Sequence, residues 1–107
     1  MERLRQRADF LAAAGGAKVA TTAFVLQARL RGDDDAVRVG FTVSRKVGTA
    51  VERNRVRRRL REIVRRSDGL SAGHDYVLIG RRAALSLPFE RISEDFKGAL
   101  RRLRVTR

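Results

Sequence analysis

The sequence predicts one α+β domain over residues 1–107, a sandwich with helices packed mainly on one face of a sheet. Three observations support this fold class. A length of 107 residues suits a single modest core. Segments with strand-like alternation are interspersed with segments whose apolar residues recur at helical spacing. Hydrophobic residues make up 43% of the chain, so the charged fraction of 35% does not indicate disorder.

The first half of the chain predicts a helix followed by two strands. The helix covers about residues 6 to 14 and ends at the following glycine pair, because glycine accepts the left-handed conformation that terminates many helices. Alternation then predicts strands at residues 22 to 31 and 36 to 44. The acidic turn at residues 32 to 35 joins them, so we expect a hairpin with one buried face and one open, basic face.

The second half predicts a helix, a strand and a helix, giving the order α-β-β-α-β-α. Thr49 and Glu52 have the spacing of a capping box, which predicts a helix from residue 50 to about 67. Residues 74 to 80 form a continuous apolar segment that predicts a buried strand. Pro88 suits the first turn of the last helix. The apolar stripe of that helix consists of Phe89, Ile92, Phe96, Leu100 and Leu103.

The charge balance indicates a polyanionic partner. Twenty-five basic residues against twelve acidic ones give a net charge of +13, which suits nucleic acid or an anionic membrane surface. The absence of cysteine excludes disulfides and thiolate metal sites. The N-terminus lacks the apolar core of an export signal, and no run approaches the roughly twenty apolar residues that span a bilayer. We therefore expect a soluble cytoplasmic protein.

The arginine-rich helix concentrates this charge. It carries eight arginines between Arg53 and Arg66 against one acidic residue, Glu62. A solvated face is the usual explanation of a charge run, but such faces mix signs because like charges three or four residues apart repel. Phosphate binding is therefore the favoured interpretation. One arc of the helix is apolar, with Val56, Leu60, Ile63 and Val64; the opposite arc holds Asn54, Arg58, Arg61 and Arg65.

No arrangement of side chains indicates catalysis by the protein. His74 is the only histidine, and its place at a strand start favours a structural role. The carboxylates of residues 33 to 35 suit a solvated turn better than a metal site. The phenylalanines at positions 24, 41, 89 and 96 lie on apolar faces and favour the core. Phe10 lies off the apolar stripe of its helix, which leaves exposure and burial against the sheet both open.

A long motif gives the chain a family resemblance. The segment SRKVGTAVERNRVRRRLRE, residues 44 to 62, resembles the signature of the bacterial ribonuclease P protein subunit, whose RNR motif is Arg53-Asn54-Arg55. Shorter matches occur in the same order along the chain: Ala8-Asp9-Phe10, Phe24-Val25-Leu26, Arg38-Val39-Gly40 and Asp75-Tyr76-Val77. The resemblance therefore covers nearly the whole sequence.

The resemblance implies a function, two partners and a fold. Members of this family assist a ribonuclease P RNA that removes the 5′ leader of precursor tRNA, and the RNA performs the endonucleolytic chemistry with Mg²⁺. From the residues and the resemblance together, we expect no cofactor on the protein alone, no metal site, no catalytic residue, no protein partner and no membrane contact. The implied order is α-β-β-β-α-β-α, with a short strand near residues 18 to 20 and a left-handed βαβ crossover.

The resemblance also assigns two sets of residues. The first set would contact the catalytic RNA and consists of Arg45, Lys46, Arg53, Asn54, Arg55, Arg57, Arg58 and Arg61. The helix geometry adds Arg65 to this set. The implied leader cleft, between the first helix and the sheet, is lined by Phe10, Gln27, Arg29 and Arg38. Many relatives carry aromatic residues where this chain has Ala14 and Gln27, and each lost stacking platform can cost about 1 to 3 kcal/mol.

Two other readings of the charge stay open at this point. A structural RNA-binding protein of the ribosomal type would need the same net charge. DNA compaction is disfavoured, because no helix-turn-helix spacing, zinc ligands or zipper heptads accompany the arginine-rich helix.

Overall fold

A five-stranded mixed sheet organises the chain in the computed structural model, which describes residues 1–105. The strands are β1 Glu2–Arg3, β2 Ala17–Ala20, β3 Phe24–Leu30, β4 Arg38–Thr42 and β5 His74–Gly80. The helices are α1 Arg7–Ala14, α2 Ala50–Arg66 and α3 Phe89–Val105, and short 3₁₀ turns cover Arg45–Val47 and Arg82–Leu85. The α+β class is confirmed. The last two residues of the predicted domain, 106 and 107, lie outside the described part.

The strand β5 occupies the centre of the sheet, so the predicted hairpin between β3 and β4 is wrong. The order across the sheet is β1-β4-β5-β3-β2. β5 runs parallel to β4 and antiparallel to β3. A strand that is apolar on both faces is best buried between two neighbours, and six of the seven residues of β5 are buried.

The backbone of Gly73 holds the ends of β3 and β4 apart. Its carbonyl accepts from the amide of Arg31 at 2.8 Å, and its amide donates to the carbonyl of Asp35 at 2.8 Å. Gly73 has φ of +75°, and a Cβ at this position would lie 2.2 Å from the carbonyl oxygen of Asp33. Only glycine fits there. Its two hydrogen bonds place the chain before β5 between Arg31 and Asp35, so the acidic segment does not close a tight turn.

The element order matches the order that the resemblance implies, with one addition. β2 is the short strand expected near residues 18 to 20, and it pairs antiparallel with β3. The addition is β1, two residues paired parallel to β4, which is too short to show an alternating pattern. The helix α2 joins the parallel neighbours β4 and β5, which makes a βαβ crossover; its left-handed sense stays a prediction of the resemblance.

The main core lies between the sheet and the two long helices. The rings of Phe24 and Phe96 meet edge to face, with centroids 6.0 Å apart. Both predicted apolar stripes are confirmed, except that Phe89 is only half-buried. The buried helix residues of this core are Val56, Leu60, Ile63, Val64, Ile92, Phe96, Ala99, Leu100 and Leu103.

The helix α1 packs on the opposite face of the sheet, so this face is less open than predicted. A small second cluster there contains Leu4, Ala13 and Val77, with Phe10 packed against it. The Phe10 ring lies directly over Gly40, where a Cβ would come within 2.5 Å of the ring. Phe10 is therefore half-buried against the sheet, which answers the question that the sequence left open.

The end of α1 differs from the predicted mechanism. Gly15 has φ of −83°, which is right-handed, so no left-handed glycine terminates the helix. Gly16 is required for a different reason: a Cβ there would lie 2.1 Å from the carbonyl oxygen of Ala28 on β3. Close approach of the two backbones fixes this turn. Across the described residues, no helix is both long and apolar enough to cross a membrane.

Candidate nucleic-acid interface

The start of α2 is held by a complete capping box. The Thr49 hydroxyl accepts from the amide of Glu52 at 3.2 Å, and the Glu52 carboxylate accepts from the amide of Thr49 at 3.0 Å. Arg82 spans this loop, donating to the Val47 carbonyl at 2.6 Å and to the Glu52 carboxylate at 3.3 Å. The Thr49 amide and the Arg82 guanidinium lower the pKa of Glu52. These bonds fix the segment that enters α2.

The predicted RNA contacts lie along this segment and α2. Arg45 and Lys46 are exposed on the 3₁₀ turn before the helix. Arg57 donates to the side-chain oxygen of Asn54 at 3.0 Å, which fixes the direction of the guanidinium. A shallow hollow of about 460 Å³ lies in this surface and is lined by Val51, Asn54, Arg57, Arg58 and Arg61. The exposed members of the predicted set are Arg45, Lys46, Asn54, Arg55, Arg58 and Arg65; Arg53, Arg57 and Arg61 are half-buried.

Two phenylalanines assigned to the core also support arginines of α2. The guanidinium carbon of Arg61 lies 5.6 Å from the centroid of the Phe41 ring, and that of Arg66 lies 5.0 Å from the centroid of Phe89. Both rings are half-buried. Each ring has one side in the apolar packing and one side against a cation, an arrangement that stabilises the arginine.

Arg59 differs from the other arginines of the helix because it points into the protein. Its guanidinium donates to the carbonyls of Ala84 at 2.5 Å and Leu87 at 2.6 Å. These bonds satisfy backbone oxygens in the segment before α3. Arg59 therefore has a structural role, consistent with its absence from the predicted contacts.

Glu62 occupies two arginines near the end of α2. Arg65 donates to both carboxylate oxygens, at 2.6 and 3.0 Å, and Arg66 donates to one of them at 2.7 Å. Hydrogen bonds from Arg65 and Arg66 lower the pKa of Glu62 to about 2. The predicted contact at Arg65 is thus already engaged within the protein, so a phosphate has to compete with a carboxylate there.

Replacing Glu62 with glutamine is expected to tighten RNA binding severalfold, because Arg65 and Arg66 become available for phosphates. The salt dependence of the Kd should become steeper. Since the carboxylate stays ionised down to a pH of about 2, the gain should be constant between about pH 5 and 8. The matched control is Glu94→Gln on α3, which makes the same change in charge beside Lys97. Equal tightening by both variants would contradict this role of Glu62.

A second cationic group lies on the face of the sheet that α1 covers in part. Strand register places Asp75 of β5 directly between Arg29 of β3 and Arg38 of β4. Arg38 donates to the two carboxylate oxygens at 2.8 and 2.7 Å, and Arg31 donates to one of them at 2.5 Å. Arg29 lies 3.9 Å away. We call Arg29, Arg31, Arg38 and Asp75 the Asp75 cluster.

The carboxylate at the centre of the cluster is fully buried and charged. Burial raises the pKa of Asp75, but hydrogen bonds from Arg38 and Arg31 outweigh this effect, so the pKa lies below its usual range. Arg38 also reaches Asp9 of α1 at 3.4 Å, which ties that helix to the sheet. Sequence reasoning missed this role of Asp75. The only available signal was a carboxylate at the start of an otherwise apolar strand.

The residues of the predicted leader cleft are near one another but not equally accessible. The Phe10 ring, Arg29 and Arg38 are partly exposed. Gln27, by contrast, is only 8% exposed, so its prediction as part of the cleft floor is corrected. The reason is that α1 packs across β3 and β5 at this point, which the strand pattern alone did not reveal.

The remaining polar candidates have structural partners. The His74 ring stacks on Tyr76 with centroids 5.7 Å apart, and its Nδ1 lies 3.0 Å from the Ala72 carbonyl. Asp33 accepts from Arg31 and from the amide of Asp35. Among residues 1–105, no three side chains of histidine, aspartate or glutamate cluster as a possible metal site.

The fold and its surfaces define a small basic α+β protein of the polyanion-binding class, with a rigid row of arginines on one helix. Comparison with known proteins makes this specific. The ribonuclease P family model matches residues 1–104. The ribonuclease P protein component of Caulobacter vibrioides is 49% identical over 102 residues, covering 92% of this chain and 68% of the relative. The ribonuclease P protein component of Gluconacetobacter diazotrophicus is 49% identical over 107 residues, covering 96% of this chain and 91% of the relative.

Solved structures agree with the sequence comparison. The ribonuclease P protein of Thermotoga maritima superposes with a TM-score of 0.80 at 35% identity, covering 95% of this chain and 97% of that one. The Staphylococcus aureus ribonuclease P protein gives a TM-score of 0.77 at 31% identity, covering 94% of each chain. The chain belongs to the ribonuclease P protein family.

Proposed function

We propose that this chain is the protein subunit of a ribonuclease P holoenzyme and acts in two places. The arginine face of α2 binds the catalytic RNA, and the leader cleft holds the 5′ leader of precursor tRNA. Together these contacts assist endonucleolytic removal of the leader, which gives the mature 5′ end of the tRNA. Membership of the family supports this function, and the charge distribution indicates how the protein performs it.

One observation carries the proposal: the cations at the start of α2 have no internal carboxylate to neutralise them. Within residues 1–105, no ion pair involves the five residues Arg45, Lys46, Arg53, Arg55 and Arg58. Arg45 and Lys46 lie on the 3₁₀ turn before α2, and the other three lie on the helix itself, which a capping box and a buried apolar stripe hold in place. Phosphates of a folded RNA would supply the missing counter-charges and release condensed ions.

The leader cleft offers a different kind of contact. The half-buried Phe10 ring lies at Gly40, two residues along β4 from Arg38, and an aromatic ring with arginines nearby suits the bases and phosphates of a single strand. With Gln27 buried and Ala14 in place of an aromatic residue, Phe10 is the main stacking platform. We therefore expect weak selectivity for leader sequence in this protein.

The chemistry in this proposal belongs to the RNA and its Mg²⁺ ions. The protein needs no cofactor for its part, which is to neutralise phosphates and to hold the leader. In this proposal the protein's side chains have no catalytic role, and the only histidine, His74, is buried with its ring stacked on Tyr76. The ribosomal-type alternative requires only net charge, whereas the family match extends over residues 1–104.

Reconstitution tests this function directly. Adding the protein to a bacterial ribonuclease P RNA at low Mg²⁺ is expected to restore cleavage of precursor tRNA, because arginines replace part of the counter-charge that the ions supply. The measurement is the rate of release of the 5′ leader. A lysozyme-like basic protein at equal concentration serves as the charge control. No gain over the RNA alone, or an equal gain from the control, would refute the proposal.

A further inference from the structure

Burial of the Asp75 carboxylate costs free energy, because a charged group loses its hydration. The neighbours of Asp75 on the same face of β5 are Val77 and Ile79, both apolar, and an apolar side chain at position 75 would avoid burying a charge. Burial of a charge is tolerated only where hydrogen bonds and counter-charges compensate for lost hydration. Asp75 is 0% exposed and has three arginines around it, so its position needs an explanation in terms of what it does to them.

We propose that Asp75 is a positioning residue, whose carboxylate fixes the guanidinium groups of Arg29 and Arg38 at the floor of the leader cleft. This inference rests on the proposed function. It assigns no contact between Asp75 and RNA. Asp75 acts through these two arginines, and Arg31 completes the neutralisation at Oδ1, whereas Arg29 lies nearest Oδ2.

The two arginines are held in different ways. Arg38 uses Nε and Nη2 in a two-point contact with the carboxylate, at 2.8 and 2.7 Å, which fixes the plane of its guanidinium. Arg29 lies 3.9 Å from the same carboxylate with 39% of its side chain exposed, too far for a hydrogen bond. Charge attraction therefore orients Arg29 while its N–H donors remain available for a phosphate.

A positioning role of Asp75 and a purely electrostatic role predict opposite changes in leader binding when the carboxylate is removed. Replacing Asp75 with asparagine raises the net charge by one, so electrostatic attraction alone predicts tighter binding of a leader. If Asp75 positions the arginines, binding weakens instead, because Arg38 loses its two-point contact and three neighbouring guanidinium groups repel one another. The sign of the change therefore distinguishes the two accounts.

The test uses the complete holoenzyme and two precursor tRNAs, one with a long leader and one with a single-nucleotide leader. For Asp75→Asn we expect the Kd of the long-leader substrate to rise about tenfold, as when a charged hydrogen bond is lost. The Kd of the short-leader substrate and the Kd for ribonuclease P RNA should not change. The control is Asp33→Asn, which removes an exposed carboxylate from Arg31 without touching Arg29 or Arg38. Tighter binding, or equal losses with both substrates, would overturn the proposal.

A measurement on the unaltered protein covers the case in which Asp75→Asn fails to fold. NMR relaxation of the arginine Nε–H groups should show Arg38 as rigid as the backbone and Arg29 clearly less mobile than Arg45 on the exposed turn. Equal mobility of Arg29 and Arg45 would overturn the proposal. If the wild-type holoenzyme does not distinguish the two leaders, the leader-binding part of the proposed function fails, and the NMR result still decides whether Asp75 positions the arginines.

Discussion

Simultaneous replacement of Arg53, Arg55 and Arg58 with alanine is expected to weaken binding to ribonuclease P RNA by roughly two to three orders of magnitude, if each contact contributes about 1 to 1.5 kcal/mol. The slope of log K against log salt should fall by about two to three, since each phosphate contact contributes about 0.7 to 0.9. Arg55 and Arg58 are exposed on α2, and Arg53 is half-buried in the first turn of the helix. Filter binding over a series of salt concentrations measures both quantities.

The fold should survive this triple replacement. Alanine is the best helix former, and removal of neighbouring like charges relieves repulsion along α2. The matched control removes the same number of charges from α3, by alanine at Lys97, Arg101 and Arg102, which are all exposed. Similar losses in the two triple variants would show that net charge, and not the α2 face, determines binding.

Replacement of Phe24 with alanine is expected to lower the free energy of unfolding by about 3 to 5 kcal/mol. The side chain is fully buried on β3 and meets the ring of Phe96 edge to face, so its removal leaves a cavity between the sheet and α3. Domains of this size are stable by only about 5 to 15 kcal/mol in total. Urea unfolding followed by circular dichroism should show a lower midpoint with an unchanged m value.

Leu30 on the same strand provides the comparison for Phe24. It is 61% exposed, so alanine at this position should change the free energy of unfolding by less than about 0.5 kcal/mol. A small effect at Phe24, or an equally large one at Leu30, would contradict the assigned core.

The arginine face of α2 could be predicted because its information is local. Helical spacing alone separates Val56 and Leu60 from Arg58 and Arg61, and the capping box gives the first residue of the helix. Local spacing does not reveal which arginines the protein itself engages. The inward turn of Arg59 and the carboxylate of Glu62 depend on rotamers and on the segment before α3, so both emerge only from the folded arrangement.

The sheet could be predicted only in part, because strand pairing is not local. Alternation located β3 and β4, and continuous apolar sequence located β5, but nothing in either pattern states which strands are neighbours. These patterns therefore favour a hairpin between β3 and β4, which is wrong because β5 lies between them. For the same reason the Asp75 cluster could not be predicted, since Arg29, Asp75 and Arg38 come together only when β5 lies between the other two strands.

The central position of β5 has a consequence for how the protein is made. Residues 74–80 leave the ribosome well after β3 and β4, whose inner edges have no native partner until then. A nascent chain of this protein therefore carries two unsatisfied strand edges through much of its synthesis, a state prone to mispairing. Sheet closure has to wait for distant segments to meet, which slows folding compared with a helical bundle of equal length.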